Sequence, residues 1–317
     1  MQHGCGLSIG LSTGAVSAIL AASIASGAEL PRLPDGTPDL QGIWTGGTLT
    51  PFERPAQLGT QLPESARDEA QRTATEKFWA AGHKPGEVGR DNDAFIDQDL
   101  KILPNGQTSL VVEPADGKVP LRPEAAKRRD FNQSSFDSYE TMSQWDRCIT
   151  REPTTMFPVV YNNAYQIVQT PGYVLIVAEM IHDARIIPMG RSGAQHVDSR
   201  VRSWGADSRG HWEGSTLVVE TTNFHGRGWL TTGVNAVPVR GVPTSEQMRI
   251  VERFTRVSRD TMQYEIAIDD PVSYTAPWKI AYPLARDDEY QMFEYACHEG
   301  NHAIELILRG ARVQEQQ

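Results

Sequence analysis

Hydrophobic and polar positions change rhythm near the middle of the chain. Beyond residue 141 the sequence runs in short β-rich segments bounded by turn residues. "YQIVQTPGYVLIVAEMIHDARIIPM" gives two such runs around Thr170-Pro171-Gly172, a hairpin signal. "STLVVETTNF" follows a Glu213-Gly214 turn, "RIVERFTRV", "TMQYEIAI" and "WKIAY" continue the series, and "QMFEYAC" closes it. No long helical pattern separates these runs, so they predict an antiparallel meander rather than βαβ units. Seven or more strands in a curved sheet tend to close, because closure removes unpaired edges. The fold expected is therefore mainly β: an antiparallel barrel or strongly curved sheet with an N-terminal, partly helical wrap.

That wrap is polar. Residues 63–81, "PESARDEAQRTATEKFWAA", start with Pro, carry acids early and consist of strong helix formers, which predicts a surface helix. A second short helix is expected near Pro123. From about 83 to 140 the chain is rich in Gly, Pro and Asp and is expected to wrap the main body. A last helix is expected through "HAIELILRG", with Asn301 as its N-cap. No internal repeat is evident. The organisation expected is a leader over 1–28, the wrap over 29–140 and the barrel with its C-terminal helix over 141–317, all in one structural domain.

Within the barrel region, residues 174–187 read as one strand. One face carries Val174, Ile176, Ala178, Met180 and His182; the other carries Leu175, Val177, Glu179, Ile181, Asp183 and Arg185. Both faces are largely apolar, so cover on both sides is expected. The ionisable residues of the second face must then pair, since an unpaired buried charge is strongly unfavourable.

The first 28 residues contain no Lys, Arg, Asp or Glu, and the apolar run ends in Ser26-Gly27-Ala28. Small residues there suit signal-peptidase cleavage before Glu29, although the n-region lacks its usual basic residue. Export is the expectation. Loss of such a leader removes Cys5 and leaves Cys148 and Cys297, either a disulfide in an oxidising compartment or two buried thiols. The formal net charge is −10 over 317 residues, with no basic block, which argues against nucleic acid and anionic membrane surfaces as partners.

Taken in order, "DGTPDLQGIW", "YNNAYQIVQTPGYV", "EMIHDARIIPM", "GHWEGSTLVVETTNF", "ERF", "DDP", "PW" and "EYACHEGN" resemble a large family of exported bacterial proteins, from about Leu33 to Arg312. The resemblance implies a predominantly β, lipocalin-like fold and carries no catalytic assignment. It also implies an aromatic residue where this chain has His302.

Candidate chemistry falls in three places. His298-Glu299-Gly300-Asn301-His302 spells H-E-x-x-H, which on a helix puts two imidazoles on one face for zinc. Gly300-Asn301 suit a strand-to-helix junction instead, and only 15 residues follow His302 to supply a third ligand. No metal or other cofactor is therefore assigned. His298 and Glu299 remain as catalytic candidates at a strand end, with Tyr295 beside them as a binding residue. "ADSRGHWEG" is expected to gather Asp207, Arg209, His211 and Trp212 in one turn, with His211 as acid or base and the others holding substrate. Glu179 and Arg185, neighbours on one strand face, are read as a proton-exchanging carboxylate and a guanidinium for an anionic or hydroxyl-bearing ligand. Asp269 and Asp270 point to opposite sides, and one of them is read as capping the Pro271 turn.

Two function classes stay open. One is an exported enzyme, a lyase or hydrolase, acting on a small organic or sugar-like molecule by metal-independent acid–base chemistry. The other is a non-catalytic, lipocalin-like binder or carrier of a small ligand. A zinc hydrolase built on His298-Glu299-x-x-His302 is the further alternative.

Overall fold

Ten strands join in one sheet. They are β1 (Gly42–Thr45), β2 (Val111–Glu113), β3 (Tyr165–Thr170), β4 (Tyr173–Ala178), β5 (Ala184–Pro188), β6 (Asp207–Glu213), β7 (Thr216–Thr222), β8 (Arg249–Arg256), β9 (Thr261–Asp269) and β10 (Trp278–Arg286). Their order is β5-β4-β3-β1-β10-β9-β8-β7-β6, with β2 pairing β10 off this path. Every strand-to-strand ladder is antiparallel. The computed structural model describes residues 30–80, 96, 100–151, 156–233 and 236–316. The expected leader and most of the stretch from 83 to 99 lie outside them. Among the described residues no helix is long and apolar enough to cross a membrane.

The sheet curls into a nearly closed barrel. Its two end strands, β5 and β6, meet through a single parallel bridge between Met189 and Gly210, with the Gly190 N–H donating to the Gly210 carbonyl at 2.8 Å. Glycine suits this seam because a Cβ at position 210 would stand 2.5 Å from Met189 Sδ and 3.0 Å from an Ile187 methyl. The interior is filled rather than hollow. Alternate residues of β8, β9 and β10 (Ile250 and Phe254, Tyr264 and Ile266, Ile280 and Tyr282) are completely buried in one core, with Trp44 of β1 among them. Ligand-sized spaces consequently lie at the seam and on the outside.

Several expectations need correcting in detail. The N-terminal segment does more than wrap: β1 sits between β3 and β10, where Trp44 fills the core and its indole N–H donates to the Leu40 carbonyl at 2.8 Å. Pro283 lies within β10, between the stretch that pairs β2 and the stretch that pairs β1, where a missing N–H is tolerated. "QMFEYAC" forms no strand; it is irregular, largely exposed and ends in a turn. The helices fall where expected, α1 over Arg67–Ala80, α2 over Pro123–Ser134 and α3 over Ala303–Gln314. At the start of α3 the Asn301 side chain accepts from the Ala303 N–H at 2.9 Å, although His302 occupies the N-cap position itself.

The stretch 174–187 is not one strand. It breaks into β4 and β5 around a 3-10 turn at Met180–His182, with the Ala178 N–H closing the excursion onto the Asp183 carbonyl at 2.8 Å. Ile181 (φ 66°) and His182 (φ 44°) adopt the left-handed region, uncommon for any residue with a Cβ and rarest for a β-branched one. This excursion turns Glu179 away from the face that carries Arg185.

Candidate functional site

The break at 179–183 decides the fate of the Glu179–Asp183–Arg185 trio. Glu179 is buried, and its carboxylate accepts from the Tyr290 hydroxyl at 2.8 and 2.9 Å and from the Phe293 N–H at 2.9 Å. Such a carboxylate is an anchor for the C-terminal segment rather than a proton carrier facing Arg185. Arg185 instead points into the barrel. Its Nε donates to Ser208 Oγ at 3.0 Å, and its Nη2 to Thr221 Oγ1 at 2.9 Å and Glu252 Oε2 at 2.5 Å. Glu252 is completely buried on β8, and its other oxygen accepts from the Tyr264 hydroxyl at 2.8 Å. Burial first, then the Glu252 charge, pushes the Tyr264 phenol well above its usual range, so it serves as a neutral donor.

Asp207, Arg209, His211 and Trp212 do not share a turn. They lie on β6, whose register with β7 sends Ser208, Gly210 and Trp212 to one face and Asp207, Arg209, His211 and Glu213 to the other. Trp212 packs on the core. His211 is buried on the outer face, where its Nε2 meets Glu213 Oε1 at 3.2 Å and Glu213 in turn meets Arg253 at 2.9 Å. Hydrogen bonds from His211 and then Arg253 lower the Glu213 carboxyl below its ordinary range. Asp207 holds four donors or ring atoms: Arg209 Nη2 at 3.0 Å and Nε at 3.2 Å, the Val197 N–H at 3.2 Å and His196 Nδ1 at 2.7 Å.

His298 and Glu299 are exposed in a turn whose Gly300 has φ 64°, and His302 precedes α3. The H-E-x-x-H letters therefore straddle a turn and a helix start, and the one-turn, one-face spacing of a helical zinc motif is not formed. Among the described residues no group of three or more His, Cys, Asp and Glu side chains is placed to hold a metal. Tyr295 stands apart from all of these, half-buried in an outer groove with its carbonyl 2.9 Å from His182 Nδ1. Cys297, nearby, is joined to Cys148 by a disulfide, with 5.6 Å between Cα atoms.

What does converge is a cleft of about 300 Å³ beside the β5–β6 seam. It brings together Arg185, Asp207 and Arg209, which the sequence singles out as ligand-holding, with Arg151, Tyr165 and Asp183. The Arg151 guanidinium donates to the Tyr165 hydroxyl and to the Phe157 carbonyl, and its carbon stands 5.6 Å from the Tyr165 ring centre. The Thr150 hydroxyl donates to Asp183. Three guanidiniums, two carboxylates and a phenol thus border one small space. Larger grooves elsewhere have mainly apolar or aromatic walls. Arg151 and Tyr165 carry no sequence signal of their own, since one sits in an irregular "CITRE" stretch and the other reads as an ordinary strand aromatic. His196 is equally unmarked in the sequence, and only its contact with Asp207 distinguishes it.

Compared with known proteins, the chain matches no family model, no curated protein and no solved structure.

Proposed function

We propose that the protein is an exported enzyme that holds a small carboxylate- or hydroxyl-bearing molecule in the seam cleft and acts on it by proton transfer. The observation that carries this reading is the gathering of Arg151, Arg185, Arg209, Tyr165, Asp183 and Asp207 around one space of ligand size. Guanidiniums fixed by Asp207, Glu252 and backbone carbonyls keep their positions, so they orient an oxygen-rich ligand without large reorganisation. Asp183 and the arginine-bonded Tyr165 are the acid–base groups within reach of such a ligand. His211, His298, Glu179 and Glu299 take no part in this assignment, because none of them borders the cleft. The uncharged stretch that ends in Ser26-Gly27-Ala28, with its leader-like pattern, and the disulfide between Cys148 and Cys297 support the reading of an oxidising compartment, the periplasm or the cell exterior.

The test is a thermal-shift screen of small carboxylic acids, uronic acids and neutral sugars, followed by NMR detection of turnover for each stabilising compound. Carboxylates or polyols are expected to raise the melting temperature, and Arg209→Leu to reduce that rise. Asp183→Asn is expected to lower turnover roughly 100-fold while binding persists. Binding without turnover replaces the enzyme with a carrier. Stabilisers that ignore Arg209→Leu place the ligand elsewhere and end the proposal.

A further inference from the structure

A second space, independent of the seam cleft, opens where the C-terminal segment is tied to the barrel. It is a groove of about 710 Å³ whose walls include the rings of Trp145, Tyr161, Phe293 and Tyr295, with the carboxylates of Asp146 and Glu294 beside them. Trp145, Tyr161 and Tyr295 rest on a small cluster of Val159, Met180 and Ile181, so the platform is fixed from behind. Phe293 is 65% exposed and forms the rim. The disulfide and the Glu179–Tyr290 contact hold the two sides of the groove in register.

The electrostatics select among occupants. No Lys, Arg or His is among the described residues that line the groove. Neither Asp146 nor Glu294 belongs to an ion pair among the described residues; Asp146 accepts only the Ser143 hydroxyl, at 2.6 Å. The Arg151 guanidinium, engaged by the Tyr165 hydroxyl and the Phe157 carbonyl, also acts on the Tyr161 and Tyr295 phenols, but it does not line the groove. Burial holds the Tyr161 and Tyr295 phenols above their ordinary range, so both rings are neutral with electron-rich faces. Aromatic faces and unpaired carboxylates both attract a cation, and a bulky, weakly hydrated one loses least on leaving water.

We infer that this groove is a binding site for a small organic cation of the quaternary-ammonium type, caged by Trp145, Tyr161 and Tyr295 and drawn in by Asp146 and Glu294. Choline is the probe, titrated calorimetrically into the full chain beside its uncharged isostere, in which a quaternary carbon replaces the nitrogen. Saturable binding of choline is expected, with the isostere weaker by about tenfold or more. Tyr161→Leu is expected to abolish saturation. Glu294→Gln, an exposed change that leaves the fold untouched, is expected to weaken choline about threefold at low salt. Absence of choline saturation, equal binding of the isostere, or indifference to Glu294→Gln each overturns the assignment, as does preferential binding of glucose.

Discussion

Arg185 on β5 and Glu252 on β8 form a buried ion pair, Nη2 to Oε2 at 2.5 Å, between strands that are not neighbours in the sheet. Because β5 and β6 share only one backbone bridge, this pair and its hydrogen bonds to Ser208 and Thr221 reinforce the closure from inside. Glu252→Ala leaves a buried guanidinium without its counter-charge and is expected to destabilise the fold by about 3–5 kcal/mol. Urea unfolding measures this. The double change Arg185→Met with Glu252→Leu is expected to recover much of the loss, since two apolar side chains need no partner. A double variant as unstable as the single one would show that the pair supplies more than mutual neutralisation.

The Cys148–Cys297 bond closes a loop with a sequence separation of 149 and pins the segment that carries Tyr295 to the barrel. Cys297→Ser is expected to lower stability by as much as about 4–5 kcal/mol on the chain-entropy account. Hydrogen exchange is expected to show an additional local loss of protection over residues 287–316, on top of the fall that lower global stability imposes on the core amides of β7, β8 and β9. No extra loss at 287–316 would contradict a local latch.

Alkaline pH probes the buried phenols. Desolvation, aided by the Glu252 charge at Tyr264 and the Asp270 charge at Tyr274, raises both well above 10.0, the ordinary tyrosine value. A folded-state value above the unfolded one means a stabilising contribution fully present below about pH 10 and lost as pH rises beyond it. Phenolate absorbance is therefore expected to show these two, with Tyr161 and Tyr295, silent near pH 10 and appearing only with unfolding. Titration of all nine tyrosines in the folded protein near pH 10 would refute the burial argument.

The class of fold and much of its outline follow from local residue pattern alone. Alternation in "RIVERFTRV" and "TMQYEIAI" gave β8 and β9, because one residue in two must reach the core whatever the neighbouring strands are. Local chemistry likewise located α1, α2 and the start of α3 to within one residue, since their signals lie within a few residues of one another. Three of the residues read as ligand-holding, Arg185, Asp207 and Arg209, do border one cleft.

Tertiary structure decided the rest. Alternation along 174–187 concealed a break, because Glu179 turns toward Tyr290 and Phe293, more than a hundred residues away, and no local pattern encodes that partner. "ADSRGHWEG" reads as a turn from its small and polar residues, yet pairing with β7 draws it out as a strand and sends His211 and Trp212 to opposite faces. Arg151 and Tyr165 joined the cleft only through closure of the sheet, and His196 met Asp207 only through the fold of the loop before β6. Periodicity is a property of neighbours in sequence, so it reports which side of a strand is buried. Which side chains meet across a seam depends on register and closure, which are set by the whole sheet at once.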